Sequence, residues 1–155
     1  SDTDRNTLLW DGIATYTVAS DGSVHIERQV SMYQLNLAGL ADDSYLDINT
    51  PETLERIRLE QRFLAVQKYP RHKLAGDDIT VSPGQPIMQP KLWITEMLAL
   101  YQVFTERGWC QDYAGYKETL VAQINDNNPS RLDFYDSPKL VGQMRIVAGH
   151  TEFRR

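Results

Sequence analysis

The fold is decided early in the chain by the stretch Gly12-Ile-Ala-Thr-Tyr-Thr-Val-Ala-Ser-Asp-Gly-Ser-Val-His-Ile-Glu-Arg-Gln-Val30. Its first half is rich in β-branched and aromatic residues, which favour strands. The pair Asp21-Gly22 follows, and it tolerates the positive φ angles of a tight turn. Apolar and polar residues then alternate, with Val24, Ile26 and Val30 on one face of the second half. The stretch therefore predicts an antiparallel β-hairpin, in a sheet with one solvated face.

Two main helices are predicted after the hairpin. The first begins at Thr50-Pro51-Glu52, where Thr50 can cap the helix, and ends near Tyr69 because Pro70 follows. The second begins at Pro90 and ends near Arg107, with Gly108 as the C-terminal cap. The residues expected on the buried faces are Leu54, Ile57, Phe63, Leu64 and Val66 in the first helix and Trp93, Met97, Leu100, Tyr101 and Phe104 in the second.

The remaining segments complete an α+β pattern. Residues 71–89 form a long loop between the helices. A short helix is expected at 112–118 and strands at 119–125, 131–135 and 139–148. This order predicts an α+β fold with a mainly antiparallel sheet, an N-terminal β-hairpin, two main helices and C-terminal strands. We expect a flexible N-terminal segment at residues 1–7, a core domain at 8–138 and a C-terminal strand or arm at 139–155.

Composition excludes several classes of protein. The chain has 155 residues, 41% of them hydrophobic, which suits one globular domain. Its net charge of −5 argues against a general nucleic-acid binder, and no apolar run is long enough to span a membrane. The single cysteine, Cys110, excludes an internal disulfide and a cysteine-based zinc site. The first six residues carry neither an initiating Met nor a signal peptide, so we expect a processed product or a fragment.

No residue pattern points to catalysis. The three histidines, His25, His72 and His150, stand in no metal-binding motif, and the phosphate-loop, dinucleotide and nucleophile-elbow motifs are absent. His25 and Glu27 share a strand face, but such surface pairs are common. The acidic residues 42–47 do not match the spacing of a calcium loop. We expect no enzyme activity, no cofactor and no metal site; a small hydrolase that uses His25 or Cys110 is the alternative.

A basic cluster and the end of the chain each allow two interpretations. Lys68, Arg71 and Lys73 lie in the cluster Lys68-Tyr-Pro-Arg-His-Lys73, which either complements a helix dipole or contacts an acidic partner. Residues 139–155 form either an edge strand of the chain's own sheet or a strand given to a neighbour's sheet edge. The pattern alone does not choose between them.

Several long strings resemble the C-terminal part of the contractile tail sheath proteins of Mu-like phages. They cover nearly the whole chain, from about Leu8 to about Ala148. Gln89 departs from the Ser or Thr expected as the cap of the second helix, whereas Arg145 fits the family ending. The strings are Trp10 to Val30, Asp42-Asp-Ser-Tyr-Leu-Asp47, Lys68-Tyr-Pro-Arg-His-Lys-Leu-Ala75, the helix start Pro90-Lys91, and Leu140-Val-Gly-Gln-Met-Arg-Ile-Val-Ala148.

The resemblance implies a structural role. Sheath subunits of this family stack as hexameric rings around a tail tube, and the sheath contracts to drive the tube through the host envelope. The implied partners are other sheath subunits, the tail tube protein, the baseplate and the tail terminator, without nucleic acid or membrane insertion. The implied location is the virion tail, after assembly in the host cytoplasm.

The resemblance also suggests which residues contact partners. The family's terminal arms add strands to neighbouring subunits. The resemblance therefore favours the interpretation that residues 139–155 form a strand given to a neighbour's sheet edge. The subunit contacts expected there are Leu140, Val141, Met144, Ile146 and Val147. Lys68, Arg71 and Lys73 are weaker candidates for contact with the tube or a neighbour. A non-enzymatic adaptor that binds an acidic protein through this basic cluster remains the alternative function.

Overall fold

The structure, a computed structural model, describes residues 2–144 and 148–152. The chain divides into two compact units, Ser1–Pro70 (unit 1) and Arg71–Arg155 (unit 2). The described residues form helices together with two-stranded sheets, of which only one is parallel. The predicted α+β class is therefore confirmed. No helix within the described residues is long and apolar enough to cross a membrane.

Unit 1 contains the predicted hairpin. Strands β1 (Tyr16–Val18) and β2 (Val24–Ile26) pair antiparallel, with Tyr16 opposite Ile26 and Val18 opposite Val24. Gly22 takes φ +84° in the turn, and its N–H donates to the Ala19 carbonyl at 2.9 Å. The hairpin prediction is confirmed, although the strands are shorter than the pattern suggested.

A helix begins unit 1 where the sequence predicted a flexible segment. Helix α1 spans Asp2–Trp10, and so includes residues 2–7. Leu9 is almost fully buried and packs with Val30 and Leu46 in a small core. The expectation of a flexible start rested on the polar residues before Leu8. The structure places residues 2–7 in a helix, and their flexibility stays a prediction.

The second helix of unit 1, α2 (Asn49–Phe63), continues into a π-helical turn at Leu64–Lys68. Thr50 lies inside the helix, so its predicted role as the cap is wrong; the cap position is Ile48, which makes no side-chain cap hydrogen bond. Ile57 is buried as predicted. Phe63 and Val66 are exposed instead. Val66 lies within the π-turn, which changes the helical period that placed it on the buried face.

Unit 2 is built around its long helix. In chain order its elements are β3 (Lys73–Leu74), β4 (Ile87–Met88), α3 (Pro90–Glu106), β5 (Cys110–Gln111), α4 (Tyr113–Thr119), β6 (Val121–Asn125), β7 (Asn128–Tyr135) and β8 (Lys139–Leu140). The helix α3 contacts α4, β5 and β6. The pairs β5–β8 and β6–β7 are antiparallel, whereas β3–β4 is parallel and forms within the segment predicted as a loop.

Helix α3 confirms its prediction. It begins at Pro90, and Trp93, Met97, Tyr101 and Phe104 on one face are buried. Gly108 follows the helix with φ +71°, the left-handed conformation expected of its C-terminal cap.

The loop before α3 supplies the cap that Gln89 does not. The Lys91 N–H donates to Oδ1 of Asp77 at 3.1 Å, so a carboxylate lies at the positive end of the helix dipole. The side chain of Gln89 instead donates to the carbonyls of Gly76 (2.7 Å) and Ile79 (3.1 Å), which holds the loop beside the helix.

Candidate assembly surfaces

The C-terminal strand begins docked on unit 2. Leu140 pairs with Cys110, and Lys139 pairs with Gln111. The pairing extends by one residue, because the Val141 N–H donates to the Trp109 carbonyl at 3.0 Å. We call Lys139–Val141 the docked segment. Within the described residues the regular strand therefore ends at Leu140, well before the predicted end at 148, and residues 145–147 of that prediction lie outside the described residues.

The predicted contact residues fall into three groups. Leu140 is half-buried within the docked segment. Val141 is 48% exposed and Met144 is 83% exposed. Ile146 and Val147, together with Arg145, lie outside the described residues. The contact of these side chains with another subunit stays a prediction, and Val141 and Met144 are accessible for it.

A buried tyrosine of α3 holds the docked segment. The Tyr101 hydroxyl donates to the Gln111 carbonyl at 2.7 Å and accepts from the Lys139 N–H at 3.2 Å. The ring stacks on Tyr116 with centroids 3.7 Å apart. Burial raises the pKa of Tyr101 to about 12, so the hydroxyl keeps the proton that it donates. The place of Tyr101 in the apolar stripe predicted a core residue but not this polar role, although a tyrosine in an apolar stripe signals a buried hydroxyl that needs partners.

Unit 1 exposes an apolar face on its hairpin. The cross-strand pairs Tyr16–Ile26 and Val18–Val24 put four large side chains on the same face. Each is between 61% and 64% exposed. A two-stranded hairpin is marginal by itself, and contiguous exposed apolar side chains are typical of interaction surfaces.

A polar turn in unit 1 presents another apolar side chain. The Asn36 side-chain oxygen accepts from the N–H groups of Ala38 (2.9 Å) and Leu40 (3.1 Å). This turn leaves Leu37 fully exposed at its tip. The apolar side chain is thus presented by a hydrogen-bonded loop rather than by a loose one.

The basic cluster straddles the division between the units. Lys68 ends the π-turn of unit 1, with its Nζ 5.6 Å from the ring centre of Tyr69. Arg71 begins unit 2 in a left-handed conformation (φ +61°), and Lys73 lies in β3. Lys68 therefore belongs to unit 1 and the other two cations to unit 2, and their role in contacting a partner stays a prediction.

The side chains considered for catalysis are buried or hydrogen-bonded to neighbouring residues. Cys110 is buried, and burial raises the pKa of its thiol to about 11, which disfavours the nucleophilic thiolate. Nε2 of His25 lies 2.9 Å from the Ser23 hydroxyl, while Glu27 accepts a hydrogen bond from Thr15. Within the described part of the chain, no three His, Cys, Asp or Glu side chains form a group that could hold a metal ion.

The acidic loop of unit 1 is a hydrogen-bonded turn. The Asp42 carboxylate accepts hydrogen bonds from the hydroxyls of Ser44 and Tyr33. These bonds lower the pKa of Asp42, and the bond from Ser44 has the largest effect. Asp47 pairs with Arg28 through two hydrogen bonds. An open cavity of about 550 Å³ adjoins this loop, and no histidine, cysteine or serine lines it. Both carboxylates, Asp42 and Asp47, are therefore hydrogen-bonded to neighbouring side chains.

The chain is similar to a known tail sheath protein. No protein-family model matches the chain. The chain is 39% identical over 150 residues to the Mu-like prophage FluMu tail sheath protein of Haemophilus influenzae. The alignment covers 97% of this chain and 31% of that protein, so the chain spans about a third of the relative's length.

Proposed function

Because this chain is a homologue of a Mu-like phage tail sheath protein, we propose that it forms the C-terminal domain of a subunit that polymerises around a phage tail tube. The observation that carries the proposal is 39% identity over 97% of the chain. The role is structural rather than enzymatic. The buried thiol of Cys110 and the hydrogen-bonded acidic loop support this view, because neither offers a reactive group to a substrate.

The proposed subunits stack as hexameric rings and have two packings. The sheath assembles in the extended packing, and a signal from the baseplate converts it to a shorter, wider one. The free-energy difference between the packings drives the tube through the host envelope. The partners are then other sheath subunits, the tail tube protein, the baseplate and the tail terminator. The sheath is assembled in the host cytoplasm and belongs to the virion tail.

The apolar surface of unit 1 supports a polymerising role. The hairpin face and Leu37 expose large apolar side chains, as expected of a subunit that buries them only on assembly. Burial of such surface contributes roughly 25 cal/mol per Å².

The C-terminal arm supplies a second kind of contact in this proposal. An extended segment that adds a strand to a neighbour's sheet gains main-chain hydrogen bonds that tolerate side-chain change. The docked segment Lys139–Val141 already pairs with β5 of its own chain. In this proposal the exchanged strand begins beyond Val141. Its predicted contact residues are Met144, Ile146 and Val147, while Leu140 and the half-exposed Val141 lie at its base.

Deletion of the arm tests both parts of the proposal. Negative-stain electron microscopy would compare the full-length sheath polypeptide with a variant that lacks residues 142–155, each mixed with tail tubes. We expect striated hollow sheaths from the first and dispersed, folded subunits from the second. The deletion starts after the docked segment, so that the partners of Tyr101 are kept. Normal sheaths from the deletion variant would refute the arm's role, and no sheath from the full-length polypeptide with tubes would refute the function.

The basic cluster is proposed to contact the tube or a neighbouring subunit. Arg71→Glu with Lys73→Glu reverses two of its charges, and we expect weaker, salt-sensitive assembly on tubes. The matched control is Arg131→Glu, since Arg131 is an exposed cation of unit 2 outside the cluster. Equal assembly of both variants would remove this contact from the proposal.

A further inference from the structure

The hydroxyl of Tyr101 is the place where the helix α3 meets both strands of the β5–β8 pair. It donates to Gln111 of β5 and accepts from Lys139 of β8, while its ring is 1% exposed. One buried atom thus links the centre of unit 2 to the first residue of the docked segment. A phenylalanine would fill the same space and leave both strand groups without this partner.

Three further contacts hold the docked segment, Lys139–Val141, on unit 2. Nε2 of Gln111 donates to the Leu140 carbonyl at 2.9 Å, and the Val141 N–H donates to the Trp109 carbonyl at 3.0 Å. Nζ of Lys139 lies 3.4 Å from Oδ2 of Asp112. Every residue of the docked segment therefore has at least one bond to the stretch between α3 and α4.

The described residues that follow directly, 142–144, are all exposed. Gly142 is exposed, and a Cβ placed on it would meet no atom within 4 Å. Met144 is 83% exposed. The chain therefore passes from a held strand to an exposed segment within one residue, and glycine gives that residue the widest choice of φ and ψ.

We propose that Tyr101 is a positioning residue that fixes the docked segment on unit 2 and so sets Gly142 as the first residue of the exchanged arm. The contacts alone indicate that the docked segment is held on unit 2. That the segment forms the base of an exchanged arm rests on the proposed function. Tension on the arm during contraction would be carried into α3 through these hydrogen bonds. Gly142 would act as the joint at which the arm changes direction.

Amide hydrogen exchange on the 155-residue chain tests the holding role. Tyr101→Phe should raise the exchange rate of the Lys139 amide about tenfold, as expected for the loss of one or two hydrogen bonds. Phe104 lies deep in α3, and exchange of its amide should change much less. The matched control is Tyr116→Phe, which removes the other hydroxyl of the stacked pair and its 3.0 Å bond to Asp136. An unchanged Lys139 rate in Tyr101→Phe, or an equal rise in Tyr116→Phe, would overturn the proposal.

A second variant guards against a folding defect in Tyr101→Phe. Gln111 has an exposed side chain, so Gln111→Leu removes its bond to Leu140 without opening the core. We expect exchange of the Val141 amide to rise about threefold to tenfold. An unchanged rate would show that the segment is not held as the contacts indicate.

Assembly of the full-length sheath polypeptide then separates the two proposals. Tyr101→Phe should lower the yield of sheath on tail tubes, and Tyr116→Phe should not. Normal yield from Tyr101→Phe would overturn the role of Tyr101 in the arm. Failure of the unsubstituted polypeptide to form sheath would instead refute the proposed function, and the exchange result would still stand.

Discussion

Gly12 offers a sharp test of the packing in unit 1. It follows α1 with φ +77°, and its N–H donates to the Leu9 carbonyl at 3.2 Å. A Cβ added at Gly12 would lie 2.9 Å from the Ser31 carbonyl oxygen and 3.0 Å from Cα of Met32. Both atoms belong to the main chain, so a side-chain rotation cannot relieve the overlap.

The expected effect has two parts. A left-handed conformation costs a residue with a Cβ about 1–2 kcal/mol relative to glycine. Overpacking against fixed neighbours adds about 1–3 kcal/mol. Gly12→Ala should therefore lower the free energy of unfolding of unit 1 by about 2–5 kcal/mol. Gly39 is the matched control, because its φ is +76° and a Cβ there would meet nothing within 4 Å.

The assay must report on unit 1 alone, because a chain of two compact units need not unfold in one step. Amide exchange at Ile13, whose N–H donates to the Leu8 carbonyl at 2.9 Å, gives the free energy of opening next to Gly12. Gly39→Ala should show only the conformational part, about 1–2 kcal/mol. Equal losses in Gly12→Ala and Gly39→Ala would refute the close approach of Gly12 to the main chain of residues 31 and 32.

Four further outcomes are expected. Asp77→Ala removes the cap of α3 and should lower the unfolding free energy of unit 2 by about 1 kcal/mol in a urea titration, whereas no change would contradict the capping role. Phe104→Ala should lower it by about 3–5 kcal/mol, because the ring is fully buried; a loss below 1 kcal/mol would mean that the site is not close-packed. Burial raises the pKa of Cys110 to about 11, so iodoacetamide at pH 8 should label it slowly in the folded chain and quickly in urea, as mass spectrometry would report. Hydrogen bonds, first that of the neighbouring serine hydroxyl, hold the pKa of Asp42 below its ordinary value of 3.8. Its contribution to stability is therefore present above about pH 4 and is lost as the pH falls through the lower folded value, and Asp42→Asn should flatten that part of the acid unfolding curve of unit 1.

The sequence predicted best where several local signals agreed. Helix α3 has Pro90 at its start, glycine after its end and apolar residues at three- and four-residue spacing, and all three signals indicate the same element. The hairpin likewise combined alternation with an Asp-Gly turn. The resemblance to Mu-like tail sheath proteins, based on long strings rather than single motifs, is confirmed by the homologous sheath protein.

The elements that sequence reasoning missed depend on contacts between distant residues. The two-residue strands β3 and β4 pair across the loop at residues 71–89, and neither is long enough to show a period. Helix α1 buries Leu9 against Val30 and Leu46, which are more than 20 positions away. The π-turn after α2 shifts side chains that a regular helical period places on the buried face.

The same limit applies to the assembly surfaces. Alternation in the hairpin correctly indicated which side chains share a face, but a pattern of period two is identical whether that face is covered by the same chain or by another. In the structure Tyr16, Val18, Val24 and Ile26 are all more than half exposed. Tyr101 was correctly predicted to lie in the apolar stripe of α3. The pattern did not identify the partner of its hydroxyl, which accepts a hydrogen bond from Lys139, 38 residues away. Under the proposed sheath function, the exposed apolar face of the hairpin and the docked segment held by Tyr101 are the two surfaces that assembly would complete.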